Sequence, residues 1–363
     1  MKEYTLFAKC PGKVHVIGEH SVVYNEHAII AAINKYARAY AAKNADQITI
    51  DAENLKRKES YTVEEIRNFT NQMNQLWKKC NDKREFKEMS DFLKTNEMNP
   101  LKAMVGKGLE QLHIESGVDL RINSEISIGA GLGSSAALSV VIPAAISEVY
   151  NQHLSRYEIN KIAKEIENFN HGTPSGGDNS TCCYGGIVWF QKPSTIESLK
   201  EEIPYVLENF VLIKTGKVKE PIEKPKEIST KKPVERLTGR MIDIVRNLPP
   251  EYRDPRIKLL GESAYKMREA LGRKDFKTMK ELMNLAHKTL AELHVSTDEI
   301  DAIHNSVKEV GGAAKLSGAG GPGSVMLCYH EDKERLKDLI KNLGYEPDEV
   351  ELGVDGLKVE RIT

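Results

Sequence analysis

"IGAGLGSSAAL", residues 128–138, spaces three glycines two apart and runs directly into two serines and a helix of small apolar residues, "SSAALSVVIPAAISEVYN". Glycine has no Cβ, so it adopts positive φ and lets backbone N–H groups close on a bound oxygen. The helix start behind it adds unsatisfied donors and the positive end of the macrodipole. Such a loop is either a cradle for phosphate or a flexible turn before a buried helix. It is not a P-loop, because no lysine follows the glycines at the required place, and it lacks the GxGxxG spacing with a later acidic residue.

Working outward, the chain of 363 residues is long enough for two domains. Its 52 Lys and Arg balance 53 Asp and Glu. No whole-molecule field gathers nucleic acid or an anionic membrane, so neither is expected as a partner and anion recognition must be local. Five cysteines, Cys10, Cys80, Cys182, Cys183 and Cys328, include no CxxC pair and no histidine at zinc-ligand spacing, which fits a reducing compartment. The vicinal pair Cys182 and Cys183 is either a redox element or two small apolar groups in a core. The opening "MKEYTLFAKCPG" is too short and polar for a signal peptide, and no run approaches the ~20 apolar residues of a membrane span. The expectation is a soluble, cytoplasmic protein.

Short β-type runs, "YTLFAK", "KVHVIG" and "HAIIAAI", fill the first forty residues. Residues 52–100 are polar, with Val63, Ile66, Phe69, Met73 and Leu76 spaced along one helical face, and predict a helical insertion over an edge of the first domain. Residues 214–234, rich in lysine and proline, predict an exposed connection. Helical patterns and then "KLSGAGGPGSVMLCY" follow, so an α+β second domain is expected. The boundaries are 1–212, including the insertion, and 213–363.

Three further constellations carry chemistry. "SGAGGPGS" at 317–324 is a second glycine-rich loop, and two such loops invite a shared ligand. "CPGKVHVIGEHSVVY" places Lys13, Glu19 and His20 around a strand and its turn, either as solvated surface residues or as ligands. "NHGTPSGGDNS" sets Asp178 among turn formers, where a carboxylate is either a turn residue or a proton acceptor.

Taken in order, "PGKVHVIGEHSVVY", "GAGLGSSAA" and "KLSGAGGPGS" resemble the three signature motifs of the GHMP kinases, and "EIENFNHGTPSGGDNS" resembles the mevalonate kinases among them. The resemblance runs from about Phe7 to the end and does not extend to residues 52–100. It implies a two-domain α+β fold: an N-terminal half like domain 2 of ribosomal protein S5 and a ferredoxin-like C-terminal half. It also implies ATP and Mg2+ as cofactors, a small-molecule acceptor, and leaves a homodimer open as the assembly.

Carried over by position, Asp178 corresponds to the catalytic aspartate that accepts the proton of the substrate hydroxyl. Lys13 corresponds to the lysine that keeps that carboxylate ionised and offsets charge on the transferring phosphoryl group. Gly129, Ala130, Gly131, Leu132, Gly133, Ser134, Ser135 and Ala136 correspond to the ATP loop, with backbone groups of Gly131 to Ser135 on the β- and γ-phosphates. Ser135 and Glu167 match the pair that holds Mg2+, a hard cation that prefers oxygen. Glu19, His20, Thr230, Gly318 and Ala319 fall where the family contacts substrate.

The sequence also departs from the family. Pro322 replaces a glycine of the third motif and removes a backbone donor. His15 and Gly177 stand at usually apolar positions, and the turn after "GEH" lacks its glycine. The implied reaction is phosphorylation of mevalonate on its 5-hydroxyl. The cations of residues 214–240 leave open a phosphorylated acceptor, either mevalonate 3-phosphate or phosphomevalonate. A decarboxylase or a ligand sensor on the same fold is the third reading; a sensor would be expected to lose Lys13, Glu167 or Asp178, and all are present.

Overall fold

The first apolar runs form β1 (Leu6–Ile17), a single continuous strand although Pro11 and Gly12 interrupt its pattern. Pro11 has no N–H for a ladder, and the antiparallel pairing of β1 with the strand Lys358–Arg361 ends at Lys9, just before it. The next strand, β2 (Ala28–Asn44), buries its first six residues and then alternates, with Ala37, Ala39 and Ala41 on the inward face. The structure, a computed structural model, describes residues 4–192, 195–216 and 241–362. Two compact units interleave along the chain: Met1–Lys13, Ala32–Gly186 and Val354–Thr363 form one, and Val14–Ala31 with Ile187–Gly353 form the other.

In the first unit, β3 (Gln47–Ala52) pairs antiparallel with β4 (Arg57–Thr62) and parallel with β5 (Gly117–Ser124), which pairs antiparallel with β2. Strand β4 corrects the all-helical expectation for residues 52–100. Its charged "RKESYT" reads as helix surface, yet it lies at the sheet edge, where charge is tolerated and blunts further pairing. Helix α1 (Val63–Lys83) follows, its first turn closed by a reciprocal capping box between Thr62 and Glu65. Helix α2 (Lys87–Lys94) and α3 (Asn99–Gln111) complete this stretch. Met73, Cys80, Met89 and Leu93 bury a core that includes Ala103 of α3 and Phe169.

Helix α4 (Ser134–Val149) is almost wholly buried, as its small apolar composition requires. Helix α5 (Arg156–His171) is amphipathic and capped by Ser155 with Glu158. Helix α6 (Gly177–Tyr184) was legible only as a turn; burial of Ser180 to Cys183 holds it helical despite weak local propensity.

In the second unit, β6 (Ile187–Gln191) pairs with residues 28–31 of β2 and with β7 (Thr195–Ser198). Strand β8 (Leu207–Lys214) is central in an antiparallel sheet, with α7 (Met241–Asn247), α8 (Pro250–Gly272), α9 (Phe276–Glu292) and α10 (Asp298–Glu309) following it in sequence. Then come β9 (Ala313–Ser317), β10 (Val325–Tyr329), α11 (Lys333–Asn342) and β11 (Asp348–Leu352), in the order β11-β8-β10-β9. Helices α9 and α10 pack on β9, and α11 packs on β8. Strand β12 (Lys358–Arg361) returns to the first unit beside β1. Among the described residues, no helix is long and apolar enough to cross a membrane.

Candidate functional site

The glycine loop is stitched to β1. Lys13 N–H donates to Leu132 O at 2.9 Å. Gly129, Gly131 and Gly133 all have positive φ, between 73° and 75°, a conformation that costs other residues of order 1–2 kcal/mol. At Gly133 the space is also taken: a Cβ would stand 2.8 Å from Lys13 Cγ. Ala130 and Leu132 turn into the core and anchor the loop, while Ser134 and Ser135 begin α4 and Ala136 is buried behind them. The first turn of α4, whose N–H groups have no intrahelical partner, therefore starts at the loop, where Gly133 lies against the stem of Lys13.

Lys13 is buried to 3% exposure, and its Nζ lies 3.0 Å from Asp178 Oδ2. The side chain of Asp178 is 39% exposed, so one partner is held inside and the other faces outward. Both are fixed through their elements. Cys10 Sγ on β1 donates to Cys182 O at 3.2 Å, tying β1 to α6. Asn160 of α5 bonds Asn179 at 2.6 Å and Ser180 at 2.9 Å, tying α6 to α5.

Glu167 lies at 2% exposure on α5. One carboxylate oxygen accepts from Ser139 Oγ at 2.8 Å and Asn170 Nδ2 at 3.3 Å; the other accepts from Ser135 Oγ at 3.2 Å. Burial pushes its pKa up against the pull of His171 and these donors, and the nearby Asp178 charge adds to the rise. His171, one helical turn on, places Nε2 3.0 Å from Ser135 Oγ and 3.4 Å from the same Glu167 oxygen.

The second unit holds the other expected residues. Glu19 and His20 are buried, not solvated. Glu19 forms an ion pair with Lys315, whose side chain is fully buried, and Lys315 Nζ also donates to His15 O at 3.3 Å and Leu316 O at 2.8 Å. His20 takes a left-handed φ of 61°, and its Nε2 is 2.8 Å from Ala319 O. Burial holds the His20 pKa below its ordinary value. Gly318 precedes Ala319 with φ 91°, and Gly320 leaves no room for a side chain beneath Val295 O. Thr230 lies outside the described residues, as does the lysine-rich segment from 217 to 240.

Lys13, residues 129–136, Glu167 and Asp178 thus come together in the first unit, and Glu19, His20, Gly318 and Ala319 in the second. Sequence reasoning missed His171 and Lys315. His171 was readable as the residue four beyond Glu167 on one helix face; Lys315 lies 296 positions from Glu19 and left no local signal. A partly exposed carboxylate against a buried ammonium, beside an anion-competent loop and a buried carboxylate that accepts from a part-buried hydroxyl, suits transfer of a group carried on a bound polyphosphate.

The family model for the GHMP kinases N terminal domain matches residues 99–186, and that for the GHMP kinases C terminal matches residues 267–346. Mevalonate kinase of Thermococcus sibiricus is 30% identical over 366 residues, covering 98% of this chain and 99% of its own length. Mevalonate kinase of Pyrococcus abyssi is 29% identical over 366 residues, with 98% of each covered. The crystal structure of the Methanococcus jannaschii mevalonate kinase matches with a TM-score of 0.76 at 25% identity, covering 98% of this chain and 100% of that one.

Proposed function

This chain belongs to the GHMP kinases, and on that premise we propose that it transfers the γ-phosphoryl group of ATP to the 5-hydroxyl of mevalonate. That it is a small-molecule kinase follows from the family. The acceptor is our reading, supported by full-length similarity to mevalonate kinases. We read it as a cytoplasmic enzyme. The observation that carries the mechanism is the 3.0 Å contact of Lys13 with Asp178 beside the loop that ends at Gly133.

Phosphoryl transfer asks mainly for positioning and charge stabilisation. Asp178 accepts the hydroxyl proton as the substrate oxygen attacks. Lys13, desolvated and close, stabilises the carboxylate and the charge that develops on the transferring group. N–H groups from Gly131 to Ser135 bind the β- and γ-phosphates. Ser135 and Glu167 fit a hard divalent cation, since a hydroxyl 3.2 Å from a buried carboxylate offers oxygen donors and a negative charge. Mg2+ held there supplies neutralisation of phosphate charge when bound. We assign Glu19, His20, Gly318 and Ala319 to acceptor binding.

The test is a coupled ADP-release screen over mevalonate, its 3- and 5-phosphates, galactose and homoserine, with the product phosphate located by NMR. Turnover with mevalonate and phosphate on the 5-oxygen are expected. Turnover confined to a phosphorylated mevalonate, or to a sugar or amino acid, would overturn the acceptor.

A further inference from the structure

The three donor atoms around Ser135 form a nearly equilateral triangle. Ser135 Oγ to Glu167 Oε2 is 3.2 Å, Ser135 Oγ to His171 Nε2 is 3.0 Å, and His171 Nε2 to Glu167 Oε2 is 3.4 Å. An octahedral ion with donors at about 2.1 Å holds adjacent donors about 3 Å apart, so this triangle has the dimensions of one octahedral face. We infer that His171 is a third, nitrogen ligand of the divalent cation, giving the site a facial oxygen, oxygen and nitrogen set that binds Mn2+ more tightly than Mg2+. The inference rests on the reading of Ser135 and Glu167 as the metal pair. Imidazole suits transition ions, whereas magnesium favours oxygen donors.

The end of α5 that carries the histidine is held in place, while the imidazole itself is 56% exposed and meets Ser135 and Glu167 from the solvent side. Glu167 and His171 sit one turn apart on α5, and the other Glu167 oxygen is occupied by Ser139 and Asn170, which aims Oε2 at the triangle. Immediately after His171 the chain turns at Gly172, with φ 72°, where a Cβ would come within 2.5 Å of the Phe86 ring. Trp77 Nε1–H donates to Gly172 O at 2.8 Å, and Phe169 is buried in the core of α1 and α2. Helices α1 and α2, which lie outside the matched family regions, therefore fix the end of α5 that presents His171.

The test uses the full chain with Mn2+ and a non-hydrolysable ATP analogue. Pulsed EPR should detect 14N coupling from a directly bound imidazole, replaced by a 15N pattern when the histidines are labelled and lost in His171→Gln. That variant should also bind Mn2+ roughly ten-fold or more weakly, with a smaller change for Mg2+. Absence of histidine nitrogen coupling in the unaltered protein would by itself overturn the inference, as would unchanged Mn2+ affinity in His171→Gln. A Glu167→Ala arm separates the two readings. If Glu167→Ala loses Mn2+ and His171→Gln does not, only the nitrogen ligand fails; if Glu167→Ala keeps Mn2+ affinity, the metal pair itself fails.

Discussion

Replacing Lys315 with methionine keeps most of the side-chain volume and removes one charge from a fully buried pair. The Glu19 side chain is 1% exposed and that of Lys315 is not exposed at all, so water cannot take over from the lost ammonium. His15 O and Leu316 O lose the same donor. Breaking a buried pair by removing one partner costs about 3–5 kcal/mol, because the remaining charge stays desolvated. For a unit of this size each kcal/mol shifts Tm by roughly 2–4 °C, so a fall of roughly 6–20 °C is expected. Differential scanning calorimetry of Lys315→Met, Glu19→Gln and the double variant checks it. The double variant should recover about half or more of the loss, because no uncompensated charge is left. A single variant within about 1 kcal/mol of the unaltered protein, or a double variant whose loss equals the two single losses added, would refute the reasoning.

Gly133→Ala should raise the KM for ATP and destabilise the first unit by roughly 1–3 kcal/mol, since its φ of 75° and the 2.8 Å approach to Lys13 Cγ both oppose a side chain; steady-state kinetics and a melting curve report the two effects. His304 titrates at about 4 in the folded protein, held down first by burial and then by the His287 ring stacked 4.2 Å away. Its unfolded value is near 6.5, so the stability this neutral state contributes is intact above that pH and is lost as pH falls towards 4, by about 2–3 kcal/mol. Urea unfolding across this range should show the slope, and His304→Gln should flatten it. Phe169→Ala should cost about 3–5 kcal/mol by opening a cavity between α5 and the α1–α2 core, measured by the same unfolding curves.

The elements that were legible in sequence are those whose signal is local. The spacing of glycines at 129, 131 and 133 and the small residues of α4 announce the loop and its buried helix. Thr62 and Glu65, like Ser155 and Glu158, mark helix starts through side chains three residues apart. What stayed hidden depends on distant partners. Asp178 sits in a helix because Asn160 and Cys10 hold α6 from other elements, while its own residues favour a turn. Glu19 reads as a surface residue until Lys315, far along the chain, allows its burial. Strand β4 was missed because an edge strand carries the same polar composition as the exposed side of a helix.

The central claim is that Asp178, held by Lys13, accepts the proton of the attacking hydroxyl. Rapid-quench measurement of a single turnover with ATP and mevalonate, comparing the unaltered protein with Asp178→Asn, tests it most directly. A fall in the transfer rate of roughly 10²–10⁴-fold or more is predicted, in a variant that still unfolds cooperatively and keeps its affinity for a non-hydrolysable ATP analogue. A variant that folds, binds the analogue and transfers phosphate within about ten-fold of the unaltered rate would contradict it.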